Sequence, residues 1–173
     1  MKDFSIMNQI CKKQQTVFFG STNLSMMDLS EMLRESTSSH IYNRSIEGLK
    51  LKDVDEVIAT CAVELQPSKL FINLGEEDIK NPDFDRKSFI FKYEWLLYQL
   101  HTRCKNCTLY ITSVMSDSHE AALVNKDLEA LASDTGCTYV RIARNSPWDF
   151  INCVKHFVRN SPITFGEAMQ YAG

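Results

Sequence analysis

Two short segments bring hydroxyl and carboxyl groups to the ends of apolar runs. Gly20-Ser21-Thr22-Asn23 closes the run in VFFGSTNL, and Gly75-Glu76-Glu77-Asp78 closes the one in INLGEED. A hydroxyl becomes a useful nucleophile only when a base within about 3 Å takes its proton and donors face the developing oxyanion. The candidate bases are His119, in the polar stretch SDSHE, and His156; His40 and His101 are assigned to the opposite end of the sheet. On burial preference alone His119 reads as a solvated loop residue and His156 as a helix-surface or partly buried one. Glu76, Glu77 and Asp78 with His119 offer oxygen and nitrogen ligands to a divalent cation, but three acids in one loop read first as solvated. Cys104 and Cys107 have C-x-x-C spacing without a second ligand pair at a suitable distance, so no metal is expected there and all six cysteines are read as free thiols.

The elements that must hold these groups alternate in period. Phe4, Met7, Ile10 and Cys11 recur at helical spacing, and residues 16–19 form a β-branched and aromatic run ending at Gly20. Met26, Leu29, Met32 and Leu33 suggest a second helix, followed by a strand over 40–43. The clearest helical pattern is 53–66, with Val54, Val57, Ile58, Cys61, Ala62 and Leu65 on one face and a stop at Pro67. Strands are expected at 69–74, 108–114 and 138–142, and helices at 89–104, 121–133 (with Gly136 as its C-cap), 148–159 and 166–171. The surplus aromatics of 89–100 either cover the sheet or form an oligomer contact such as a homodimer.

Strand and helix alternating throughout 173 residues predict one three-layer, flavodoxin-like α/β domain over 1–173, with a five-stranded parallel sheet in the order 2-1-3-4-5 and helices on both faces. In that order the loops after strands 1 and 3 leave in opposite directions, and the crevice between them is the expected ligand site.

With Asn43-Arg44-Ser45-Ile46-Glu47-Gly48 in IYNRSIEG, these segments resemble, in order and spacing, the G-D-S, N-R-x-I-x-G and G-x-N-D motifs of the SGNH (GDSL-type) ester hydrolases. The resemblance covers about four-fifths of the chain. It implies hydrolysis of an acyl ester of a carbohydrate, lipid or small alcohol, without a cofactor. By that resemblance Thr22 takes the place of the nucleophilic serine and Ser21 that of the preceding aspartate. Gly48 supplies an oxyanion N–H, Glu77 replaces the oxyanion asparagine, and Asp78 is retained. Gly20, Ser21, Asn23, Arg44, Gly75 and Asp78 are expected around the crevice.

The sequence departs from that pattern where the chemistry is most demanding. Threonine keeps a hydroxyl but adds a methyl that restricts χ1. An ionised Glu77 accepts hydrogen bonds and donates none, so it opposes the oxyanion the family asparagine would stabilise. The closing D-x-x-H is not found; a placement ending at Gly166 puts Val158 and Ser161 on its two positions. Weak or absent esterase activity is therefore expected, the alternative being a non-catalytic protein that binds a small ligand or another protein. The three adjacent acids are also expected to repel one another and oppose folding, unless Glu77 is paired with a group such as Arg44.

Composition narrows the remaining classes. A net charge of −3, pI near 5.8 and scattered lysines and arginines give no nucleic-acid footprint. The first fifteen residues have no apolar signal core and no stretch is long enough to span a bilayer, so a cytoplasmic protein without membrane insertion is expected.

Overall fold

A computed structural model describes residues 3–159. Five parallel strands, β1 (Thr16–Gly20), β2 (Ile41–Asn43), β3 (Lys69–Asn73), β4 (Thr108–Thr112) and β5 (Thr138–Val140), form one sheet in the order β2-β1-β3-β4-β5. The sheet is buried on both faces, which is why its strands read as nearly continuous apolar runs. Val17, Phe19, Leu70, Ile72, Leu109 and Ile111 point to one core, and Phe18, Phe71 and Tyr110 to the other. Phe18, Phe71 and Tyr110 are in register on adjacent strands and stack with ring centroids 4.6 and 4.4 Å apart. Such offset aromatic pairs add to the area they bury.

Short helices α1 (Ser5–Asn8), α2 (Thr22–Ser25), α3 (Leu29–Met32) and α4 (Ile58–Cys61) precede three long ones, α5 (Arg86–Arg103), α6 (His119–Thr135) and α7 (Pro147–Val158). Side chains that accept a backbone N–H three residues on start the long helices: Asp85 from Ser88, Ser118 from Ala121 and Ser146 from Asp149. Gly136 ends α6 in the left-handed conformation, φ 72°. No helix of the described residues is long and apolar enough to cross a membrane. The aromatics of α5 divide: Phe89 and Tyr93 are buried, whereas Phe91, Trp95 and Tyr98 face outward, Trp95 stacked on Tyr98.

The helix expected over 53–66 is broken. A 3₁₀ turn (Leu51–Glu56), α4 and a second 3₁₀ turn (Val63–Leu65) replace it, and the backbone leaves helical geometry at Val57 (φ −121°, ψ −9°) and Ala62 (φ −140°, ψ −60°). The apolar face survives, since Leu51, Val54, Val57, Ile58, Cys61, Ala62 and Leu65 are all buried. Packing overrides propensity here. Leu51, Val54 and Val57 follow the three-residue repeat of a 3₁₀ turn, and Val54, Val57, Ile58, Thr60 and Val63 are β-branched, weak helix formers. The first expected helix shrinks to the single turn α1, which leaves Met7 and Ile10 exposed. The helix expected over 166–171 lies outside the described residues.

Candidate active site

The loops after β1, β2 and β3 meet at the C-terminal edge of the sheet. Gly20 O accepts from Ile46 N at 3.1 Å and Phe18 O from Arg44 N at 2.8 Å, carrying the chain after β2 alongside the end of β1. Two side-chain clamps then fix the loop that holds Gly48. Buried Ser21 donates its hydroxyl to Leu49 O at 2.9 Å, and Leu51 N donates to both oxygens of Asp78 at 3.0 and 3.3 Å. Gly48 adopts φ +76°, a conformation that suits glycine, and so aims its N–H at Thr22 Oγ1, 2.9 Å away. Thr22 Oγ1 in turn donates to Glu77 Oε1 at 2.8 Å. Glu77 also receives Lys80 Nζ at 3.2 Å, and Asn23 N donates to Glu76 Oε1 at 2.7 Å.

The three adjacent acids are therefore separated by their partners. Glu77 takes the Thr22 hydroxyl and Lys80, Glu76 takes the Asn23 amide, and Asp78 takes the Leu51 amide. The hydrogen bond from Thr22, with Lys80 beside it, holds the Glu77 carboxyl below the usual carboxylate range. Glu76 and Asp78 are pushed the other way, because burial disfavours their charged forms more than their hydrogen bonds favour them. The geometry gives Glu77 donors that outweigh repulsion at Glu77 itself, while its charge still adds to the upward push on Glu76.

Arg44 is not one of them. It is buried and turned from the crevice, donating through Nε to Asn8 Oδ1 at 2.9 Å and through a terminal nitrogen to Cys11 Sγ at 3.2 Å, with its guanidinium over the rings of Phe4 and Tyr42. It pins α1 to the sheet. Gly20 is likewise a packing position: an added Cβ would come within 2.8 Å of Asn73 O.

All four histidines of the chain fall within the described residues, and none hydrogen-bonds to Thr22. His156 is on the last turn of α7, whose end carbonyls at Phe157 and Arg159 accept from Lys69 Nζ at 2.7 and 2.6 Å. Because Lys69 begins β3, that turn lies at the N-terminal edge of the sheet, the wrong edge for a base acting on Thr22. His101 is there too, against Thr135 O at 3.1 Å, and His40 precedes β2, stacked on Tyr42. His119 begins α6 at the correct edge but is exposed and hydrogen-bonds to none of Thr22, Gly48 and Glu77. Of the D-x-x-H positions, Val158 is wholly buried at the end of α7, and Ser161 lies outside the described residues.

Next to Thr22 are two hollows that share Asn23 and Met115; Thr22, Gly48 and Glu77 themselves line neither. One, of about 280 Å³, is lined also by Glu76, Ile79, Lys80, Ser116 and Ser118; the other, of about 340 Å³, by Met26, Met27, Asn145 and Pro147. Among the described residues, no group of three His, Cys, Asp or Glu side chains is arranged to hold a metal ion.

No protein-family model and no curated sequence matches the chain. Solved structures do. A candidate acylhydrolase from Bacteroides fragilis superposes with TM-score 0.74 at 11% identity, covering 90% of this chain and 93% of its own. A GDSL-like lipase from Bacteroides thetaiotaomicron gives 0.72 at 11% identity over 98% and 97%. An acetylxylan esterase from Geobacillus stearothermophilus gives 0.63 at 10% identity over 78% and 80%. The chain has the SGNH hydrolase fold. Within the SGNH fold the Thr22, Gly48 and Glu77 cluster lies at the switch point, where β2 and β3 flank β1 on opposite sides. The sequence places Asn23 in the crevice and Glu76 in the acidic loop beside it, but does not single out Lys80 or the methionines as lining residues. Their signal was faint: Lys80 follows Glu77 by three residues, and Met115 comes just after a strand.

Proposed function

We propose that this crevice is an acyl-ester hydrolase site of the SGNH type in altered form, with weak or no esterase activity. One observation carries the reading: the hydroxyl in the nucleophile position donates a hydrogen bond to Glu77, and no histidine hydrogen-bonds to it. Glu77 is a poor substitute base. A general base works best with a pKa near the working pH, and hydrogen bonding holds this carboxyl below even its ordinary range. As an ionised group in the oxyanion-donor position it also opposes the charge that builds during acyl transfer, where loss of one donor already costs about 3 kcal/mol. The Gly48 N–H is the one expected oxyanion donor retained, and it is spent on Thr22 itself. In this reading residues 1–173 form one such unit, acting in the cytoplasm without a cofactor. The test compares hydrolysis of short-chain aryl esters by the protein and by Thr22→Ala. Equal rates are expected; turnover that disappears in the variant would show a competent Thr22 nucleophile.

A second reading, a non-catalytic small-ligand site, is favoured by Glu76. This carboxylate is only 6% exposed yet lines the crevice, and one of its oxygens accepts no hydrogen bond from the described residues.

A further inference from the structure

We infer that the crevice binds a primary alkylammonium ligand, its cationic head against Glu76 and its chain among Met26, Met27, Met115 and Pro147. This deepens the ligand-binding reading and rests on it.

Charge decides the head group. The polar hollow is lined by two ionisable side chains, Glu76 and Lys80. Lys80 is matched by Glu77, 3.2 Å away, which leaves Glu76 as the surplus charge. Glu76 has no ion-pair partner among the described residues, and its one hydrogen bond, from Asn23 N, occupies only Oε1. Its other oxygen is not fully enclosed and stays reachable from the hollow, where a charged donor can take the place of water. An ammonium group offers what is lacking: a positive charge and three donors, which could bridge Glu76 and the hydroxyls of Ser116 and Ser118 on the same wall. A carboxylate head would meet Glu76 as a like charge.

Shape decides the tail. The second hollow adjoins the first, with Asn23 and Met115 lining both, and has no charged lining residue. Three methionines line it, and their unbranched, polarisable side chains adapt to flexible chains of differing length.

The test is a titration of the full-length protein with n-hexylammonium, 1-hexanol, hexanoate and methylammonium, followed by amide chemical shifts and by calorimetry. Saturable binding of n-hexylammonium is expected, with shifts centred on Asn23, Glu76 and Met115. It should be at least about tenfold tighter than 1-hexanol or hexanoate, and affinity should grow by about fourfold per methylene from methylammonium upward until the hollow is filled. Glu76→Gln should weaken n-hexylammonium by about tenfold or more while leaving 1-hexanol unchanged. If that variant fails to fold, the head-group series on the natural protein decides. Equal binding of 1-hexanol, preferential binding of hexanoate, no binding at all, or an unaffected folded Glu76→Gln variant would each overturn the inference. None of these ligands contains a hydrolysable bond, so failure here leaves the aryl-ester test of the weak-esterase reading untouched, and the reverse holds as well.

Discussion

Glu76 and Glu77 are adjacent glutamates whose neutralisation should move stability in opposite directions. Glu77→Gln keeps an acceptor for Thr22 but removes the charge. A hydrogen bond to a charged group exceeds a neutral one by about 1 kcal/mol. Lys80 adds a few tenths at most, since its side chain is 65% exposed and solvent screens the pair. A loss of about 1 kcal/mol corresponds to ~2–4 °C in Tm for a chain of this size. The pH dependence follows from the depressed folded pKa. Stability from Glu77 is present above its unfolded value of about 4.3 and is lost as pH falls through the lower folded value, so the variant and the natural protein should converge in acid. For Glu76 the folded pKa is raised by burial. Its contribution is full below the unfolded value and disappears as pH rises through the folded one, so Glu76→Gln should raise Tm at neutral pH. Thermal melts of the three proteins from about pH 3 to 8 provide the assay. A Glu77→Gln variant that melts higher at pH 7, or a deficit that persists undiminished in acid, would refute the assignment of Thr22 and Lys80 as partners of Glu77.

Three further outcomes are expected. Thr22→Ser with Glu77→Asn should not gain esterase activity, because triad members act as a unit and no histidine contacts the site; robust turnover in a colorimetric ester assay would show that His119 moves into reach. Gly75→Ala should destabilise by about 2–4 kcal/mol in denaturant melts, since Gly75 has φ +126° and an added Cβ would come within 2.9 Å of Val114 Cγ2 and 3.0 Å of Phe89 Cζ. Arg44→Ala should leave Asn8 Oδ1 without its donor and speed hydrogen exchange at the amides of Asn8 and Cys11, which bond to Phe4 O and Asn8 O, while leaving β4 protected.

The sheet was legible because burial on both faces writes itself as short β-branched and aromatic runs, and each of the five runs became a strand in the expected order. The helix expected over 53–66 fails for the complementary reason. Hydrophobic spacing reports which side chains face inward, and those were correct, but 3₁₀ and α turns present such similar faces over a few residues that the backbone between them is invisible to periodicity. At the site, the motif order brought Thr22, Gly48 and Glu77 together on paper, and the structure places them within hydrogen-bond reach. What the order did not carry was direction. Arg44 follows a strand end just as a crevice residue would, yet the ring faces of Phe4 and Tyr42 and the side-chain oxygen Oδ1 of Asn8 draw it to the opposite side of the loop. The sign of Glu77 was hidden in the same way. Three consecutive acids read as mutual repulsion until the turn over 75–80 gives each its own donor: the Asn23 amide, the Thr22 hydroxyl with Lys80, and the Leu51 amide. Those donors come from residues 22–23 and 51 as well as from the turn itself. Electrostatics in such a loop is therefore a tertiary property, and Glu76, buried and without an ion-pair partner among the described residues, is where a ligand has something to supply.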